Sequence, residues 1–298
     1  MSAGANQAKR VLVTGAGGVI GRAVAAGFEQ DGWTVSRLVH RPSRWAPGAQ
    51  VVDLAACQDL TAQVTGRPDA VVHLAAAVPH SKDYPDSPES AALTQRMDKV
   101  VIAAAQSWDC PLVYASGCTL YCREEPNAKS EGDPIKDWGS PYFAAKAAGE
   151  AACAAHPKST VLRISAPIGS GLHANVVMAR FINAARDDKP LTLWGSGRRE
   201  QDFIDVRDLA TLFVSVVRQG ARGIFNAASG HTTTMWELAE TVIKRLGSGA
   251  IALSGQPDPN ESVYARYDIR KARKELGWEP RHTLVDMVDS IAAESFAP

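Results

Sequence analysis

Arg10-Val-Leu-Val-Thr-Gly-Ala-Gly-Gly-Val-Ile-Gly21 is a short apolar run that breaks into four glycines and then resumes as an apolar helical pattern through Gln30. Arg10 to Thr14 reads as a strand and Val19 to Gln30 as a helix, with a tight loop between them. Gly15 permits the sharp turn. Gly18 removes the side chain that would keep a phosphate from backbone N–H groups, and Gly21 lets the helix pack closely on the sheet. The helix N-terminus adds partial positive charge. A glycine cluster alone is equally an ordinary tight loop; the strand before it and the helix after it make it a candidate phosphate cradle.

Outward from this unit the pattern repeats. Thr34 to His40 reads as a second strand, Gln50 to Leu54 as a third, Ala70 to Ala75 as a fourth, Leu112 to Ser116 as a fifth and Val161 to Ser165 as a sixth. Helical stretches lie between, among them Ala91 to Trp108 and Tyr142 to Ala155. Strands alternating with helices predict a parallel sheet wound on both faces. From Ile168 onward the regularity weakens. Leu191 to Gly195, Phe203 to Val206 and Ile224 to Asn226 read as short strands set among helices, and this half is expected to form a substrate lid. Helices are predicted at Thr234 to Leu246, opened by a threonine cap with Glu237 three residues on, and at Thr283 to Ala293. Tyr121 to Trp138 is the longest stretch without periodicity, and long loops of this kind are often functional.

The 32 basic and 32 acidic side chains cancel, and no basic patch stands out, so neither nucleic acid nor an anionic membrane is an expected partner. Cys57, Cys110, Cys118, Cys122 and Cys153 are odd in number and follow no zinc-ligand spacing, which argues against a disulfide framework or a structural metal. Met1 to Lys9 lacks the apolar stretch of a signal peptide, and no run of about 18 apolar residues follows. A reducing, cytoplasmic location is expected.

The spacing T-G-x-x-G-x-x-G from Thr14 to Gly21 resembles that of the extended short-chain dehydrogenase/reductase family of NAD(P)-dependent epimerases, dehydratases and reductases. His73-Leu-Ala-Ala76, Trp194-Gly-Ser-Gly197, Asp202-Phe203, Asp205-Val206 and Glu275-Leu-Gly-Trp278-Glu-Pro280 extend the resemblance over about residues 10 to 290. It implies an α/β fold: a Rossmann-type doubly wound parallel sheet at 8–167, with parts of 200–230, that binds the cofactor, and a smaller C-terminal α/β substrate-binding domain at 168–298. It also implies a cofactor site at Gly15, Gly17, Gly18, Val19, Ile20 and Gly21, at Asp53 and Leu54 beside the adenine, and along Leu74, Ala75 and Ala76. By the same analogy the helices around 91–108 and 142–155 form a homodimer interface.

NAD is usually distinguished from NADP by a carboxylate at the end of the second strand. Val39 stands there, followed by His40, Arg41, Ser43 and Arg44. An arginine fork can pair with a 2′-phosphate, so NADP is the expected cofactor, with NAD the other possibility. The alternative is a pair of solvated loop arginines.

Tyr142-Phe-Ala-Ala-Lys146 puts a phenol and an ammonium one helical turn apart on one face. The ammonium is expected to lower the phenol's pKa so that Tyr142 exchanges a proton with a carbinol or carbonyl oxygen, while Lys146 also holds the nicotinamide ribose. The resemblance implies a third group, a Ser or Thr hydroxyl four residues before Tyr121, where this chain has Gly117. A second register makes Ser116 that hydroxyl and brings Cys118 nearby as a second acid-base group; Thr119 is the fallback. The family's dehydratases carry an Asp-Glu pair after the catalytic Thr, whereas Cys118 and Thr119 follow here, so dehydration is not expected.

On the substrate side Ala166 and Gln201 replace an Asn and an Arg that bind a diphosphate in the resembling family. Arg198, Arg199 and Arg266 are offered as compensators, and His80 as a further polar contact. The leading expectation is an oxidoreductase moving hydride between nicotinamide and a keto or hydroxyl carbon of small sugar-like substrates, nucleotide sugars among them. An epimerase that retains its cofactor is the nearest alternative. Gly117 and Ala166 motivate one from another class, a non-catalytic dinucleotide-binding regulator.

Overall fold

The computed structural model describes residues 8–79 and 85–294. In chain order these form β1 (Arg10–Thr14), α1 (Val19–Gln30), β2 (Thr34–Val39), β3 (Gln50–Val51), β4 (Ala70–His73), α2 (Pro88–Ser107), β5 (Leu112–Gly117), α3 (Pro141–Ala154) and β6 (Ser159–Ile164). There follow β7 (Ala166–Ile168), α4 (Val177–Arg186), β8 (Leu191–Leu193), β9 (Glu200–Asp205), α5 (Val206–Gln219), β10 (Gly223–Ala227), β11 (Thr232–Thr234), α6 (Met235–Leu246), β12 (Ile251–Leu253), α7 (Arg270–Leu276) and α8 (Leu284–Ala292).

The chain divides into two compact units. The first runs through Ser116 and adds Asp137–Leu162 and Ala210–Ile224; the second holds Gly117–Lys136, Arg163–Leu209 and the chain from Phe225. A seven-stranded sheet runs in the order β10-β6-β5-β4-β1-β2-β3, with the pairs from β3 to β5 all parallel. Every residue of β4 and the last four of β1 are buried, because both faces of a doubly wound sheet are covered and the polar alternation is lost. On one face Leu12, Val71, Leu112 and Tyr114 pack with Val101 and Ala105 of α2. Strand order reverses between β1 and β4, the place where such sheets open a crevice beyond their carboxyl ends.

β3 and β4 each end two or more residues earlier than expected, for a local reason. β3 stops at Val51 because Asp53 turns the chain, its Oδ1 accepting from the backbone N–H of Ala55 and Ala56 at 3.0 and 3.3 Å. β4 stops at His73 because the N–H groups of Leu74 and Ala75 go to the Thr14 hydroxyl, both at 3.2 Å.

In the second unit, β11-β9-β7 and β12-β8 form small sheets beside α4, α6 and α8, whose apolar faces share one core that includes Ile182, Leu238 and Val288. Thr234 and Glu237 make the expected capping box on α6, and Thr283 with Asp286 makes another on α8. The stretch 121–138 is tied down rather than open: Lys136 N–H donates to Leu120 O, and Cys122 N–H to Pro134 O.

Candidate active site

The glycine loop joins β1 to α1. Gly15 has φ +65°, and a Cβ there would sit 2.9 Å from Ala75 N. A Cβ at Gly21 would overlap Gly15 O and lie 2.8 Å from Ala16 Cα, so the helix can enter here on glycine alone. Gly18 caps α1 without any side-chain hydrogen bond, which leaves the N–H groups of the first turn, from Val19 and Ile20 onward, for an outside acceptor. Gly18 is exposed and Gly17 half-buried, with Leu74, Ala75 and Ala76 half-buried beside them. This donor cradle fits a dinucleotide pyrophosphate.

At the end of β2, Val39 is buried and His40, Arg41 and Arg44 are exposed. Ser43 lies against the loop, its Oγ 3.2 Å from where a Cβ on Gly17 would stand. The guanidinium groups of Arg22 and Arg44 stack on the Trp45 ring at 4.2 and 4.7 Å. The exposed Asp53 carboxylate caps its turn and lies 3.9 Å from His40 Nδ1, whereas Leu54, expected beside an adenine, is packed into the core of the first unit.

The catalytic candidates gather on the β5 and α3 side of the same unit. Ser140 and Asp86 fix the start of α3: Ser140 Oγ accepts from Phe143 N–H at 3.2 Å, and the Asp86 carboxylate accepts from Tyr142 N–H at 2.9 Å and from Ser140 Oγ at 2.7 Å. One turn along, Lys146 is buried with its Nζ 4.1 Å from the Tyr114 ring centroid. The phenol does not behave as expected. Burial, and then the charge of Asp98, push the Tyr142 hydroxyl up to about 12, so it is a proton donor at neutral pH rather than a phenolate. Burial also pulls the Lys146 ammonium below its ordinary value, against the opposing pull of Asp98.

Side chains alternate along a strand, so Ser116 leaves β5 on the face of Tyr114, the face that meets Lys146. Its Oγ is buried with no hydrogen-bond partner among the described residues. At Gly117 a Cβ would stand 3.0 Å from Thr119 Oγ1. Cys118 is excluded as an acid-base group: it is fully buried, its thiol donates to Arg163 O at 3.0 Å, and burial raises its pKa far above the ordinary thiol value.

In the second unit, Arg199 lines a cavity of about 340 Å³ with Phe181, Trp194, Arg180 and Asn175. Its Nε lies 3.5 Å from Asp258 Oδ2. Arg266 is not the available compensator that was expected, because it forks onto both oxygens of Glu200 at 2.9 and 2.6 Å. His80 lies outside the described residues.

Asp98, His73, Tyr114 and Asp86, which hold the β5 and α3 side of the site together, were not among the expected site residues. Asp98 carried a signal, being a lone carboxylate on the buried stripe of α2 formed with Ala91, Thr94, Val101 and Ala105.

A parallel sheet with a pyrophosphate cradle at its switch point and a Tyr–Lys pair on the adjoining helix defines a nicotinamide-dinucleotide enzyme of the short-chain dehydrogenase type. Residues 11–228 match the model of the NAD dependent epimerase/dehydratase family, and the chain belongs to that family. It is 33% identical over 138 residues to the dTDP-4-dehydro-6-deoxyglucose reductase of Escherichia coli, a match spanning 45% of this chain and 44% of that protein. It is 29% identical to the dTDP-6-deoxy-L-talose 4-dehydrogenase (NAD(P)(+)) of Kitasatospora kifunensis, over 97% of this chain and 96% of that protein. A dTDP-glucose 4,6-dehydratase of Streptomyces niveus is 28% identical over 78% of this chain and 72% of its own length. Among solved structures, the UDP-glucose 4-epimerase of Thermotoga maritima superposes with a TM-score of 0.83 at 20% identity, covering 95% of this chain and 97% of that one, which shows a shared fold. No helix among the described residues is long and apolar enough to cross a membrane, and no cluster of metal-ligating side chains occurs among them.

Proposed function

We propose that this chain reduces a keto carbon of a nucleotide-linked sugar with hydride from NADPH, and that Ser116, Tyr142 and Lys146 carry the chemistry. The observation that carries the reading is geometric: Tyr142 stands one helical turn before the buried Lys146, and the unpartnered Ser116 hydroxyl leaves β5 on the face that meets that lysine. A protonated phenol suits reduction, in which the forming alkoxide needs a proton. A nicotinamide held by the glycine loop would supply the hydride when bound. Tyr142 Oη then gives its proton to the substrate oxygen, and the unpartnered Ser116 hydroxyl hydrogen-bonds that oxygen as negative charge builds on it.

Elimination of water calls for a carboxylate at the turn after β5, and Cys118 and Thr119 offer none, so reduction is preferred to dehydration. Exposed Arg41 and Arg44 with Ser43 favour the 2′-phosphate of NADP, since the end of β2 carries no carboxylate. The cavity lined by Phe181, Trp194, Arg180 and Arg199 offers aromatic faces and cations to a nucleoside diphosphate. Two copies are proposed to pair through α2 and α3, which light scattering in solution tests.

Nicotinamide absorbance, followed while the chain is offered nucleoside-diphosphate 4-keto sugars, tests the reaction. Stoichiometric NADPH consumption is expected, and Tyr142→Phe should slow it about a thousandfold while NADPH still binds. Conversion of a nucleotide sugar to its epimer with no added cofactor would replace this reading by an epimerase.

A further inference from the structure

The hydride chemistry leaves one buried carboxylate of the first unit unused. Asp98 is 3% exposed and lies between β4, β5 and α3. Tyr114 Oη donates to its Oδ2 at 2.7 Å, and His73 Nε2 meets its Oδ1 at 3.0 Å. Proton counting fixes the direction of this chain. Thr14 Oγ1 already accepts from two backbone N–H groups, so its own proton goes to His73 Nδ1, 2.7 Å away. His73 Nε2 therefore carries the other hydrogen and donates it to Asp98, which receives two hydrogen bonds and keeps its negative charge.

Lys146 Nζ lies over the ring of Tyr114, whose hydroxyl donates to this anion, and no direct ion pair joins lysine and carboxylate among the described residues. A phenol that donates to a carboxylate gains electron density in its ring, and the ring face then attracts an ammonium more strongly. Gly149 keeps the stack closed: a Cβ there would overlap the Tyr114 hydroxyl and stand 2.6 Å from Asp98 Oδ2.

We propose that Asp98 is a positioning residue for Lys146: acting through the Tyr114 phenol, its carboxylate holds the lysine ammonium over the ring and keeps it charged. The proposal rests on the reading of Tyr142 and Lys146 as the catalytic pair. The other groups facing the stack are His73 on β4, Tyr114 on β5, and Tyr142, Glu150 and Cys153 on α3. Burial works against the charge of Lys146, and Asp98 opposes it ahead of Cys153 and Glu150. For Asp98 itself burial works upward, yet the His73 hydrogen bond and the Lys146 charge carry its carboxyl below the ordinary range.

Carbon-13 labelling of the lysine side chains in the full chain gives an NMR titration of Lys146, assigned as the resonance lost in Lys146→Arg. Asp98→Asn preserves shape and removes charge, and it should lower the Lys146 midpoint by about one pH unit. Asp98→Thr, neutral and smaller, gives the same reading if the amide variant does not fold. A midpoint unchanged or raised in a folded variant overturns the proposal, whereas a merely structural carboxylate would alter melting and leave the midpoint in place. No substrate enters the measurement, so this result is independent of whether a keto-sugar is reduced.

Discussion

Asp98 in the first unit and Asp202 in the second are both buried carboxylates ringed by donors, and they titrate in opposite directions. Asp202 Oδ1 accepts from Ser165 Oγ at 2.8 Å and Ser229 N–H at 2.9 Å, and its Oδ2 from Gly230 N–H at 2.9 Å. Burial nonetheless pushes it up to about 6, with the hydrogen bonds pulling against the rise. Asp98 has two donors and ends below the ordinary range. What separates them is the His73 hydrogen bond first and the Lys146 charge second, which together outweigh the burial of Asp98, whereas the hydrogen bonds from Ser165, Ser229 and Gly230 do not outweigh that of Asp202. The first unit thus holds a carboxylate kept charged by His73 and Lys146, and the second an acid on β9 of its small sheet whose burial is not offset.

The strongest way to break the contrast is to crowd the compensated site. In Gly149→Ala the new Cβ would overlap the Tyr114 hydroxyl and stand 2.6 Å from Asp98 Oδ2, and both of those residues are buried. A loss of more than about 3 kcal/mol in urea unfolding is expected, at the upper end for overpacking a core. A loss below about 1 kcal/mol would mean that the stack is looser than described.

Next in size is the pH dependence of Asp202. Its unfolded carboxyl has the ordinary value of 3.8 and the folded one about 6. The folded state binds the extra proton, so this contribution is fully present below 3.8 and is lost as pH rises through about 6. The full loss is about 3 kcal/mol. Asp98 runs the other way, contributing above the ordinary carboxylate value and losing that contribution as pH falls through its depressed one. Urea midpoints at mildly acidic and neutral pH should therefore fall with rising pH in the wild type and level out in Asp202→Asn; the same slope in both proteins would remove Asp202 as its cause.

Much of the fold could be read because backbone geometry left few choices. Gly15 and Gly21 stand where any side chain would strike Ala75 or the Gly15 carbonyl, so the residue type alone reports the turn. Tyr142 and Lys146 were legible for a similar reason, since helical spacing fixes which side chains share a face. What the sequence could not carry was the consequence of burial. The lysine was expected to lower the phenol, and the structure raises it, because desolvation depends on what the fold packs around a group rather than on its neighbours in the chain. Arg266 looked available until folding brought up Glu200, 66 residues away. The expected third strand ran too far because Asp53 bonds its own backbone two and three residues on, a local competition that an apolar run conceals.

Ser116 is the third buried polar group in the contrast and gives the smallest stability effect. Unlike Asp98 and Asp202 it has neither cation nor donor, so its desolvation is compensated by nothing among the described residues. Removing a buried, unpaired hydroxyl relieves that cost, and Ser116→Ala should unfold at the wild-type urea midpoint or up to about 1 kcal/mol beyond it. The same substitution should lower keto-sugar reduction about a hundredfold, because the hydroxyl finds its partner only when the substrate oxygen arrives. Thr119→Val separates the two candidates. If Thr119 is the working hydroxyl, the activity loss follows that variant and Ser116→Ala leaves activity unchanged; if Ser116 is, stability and activity part company at one residue, as expected of a group kept unsatisfied in the fold for use in the reaction.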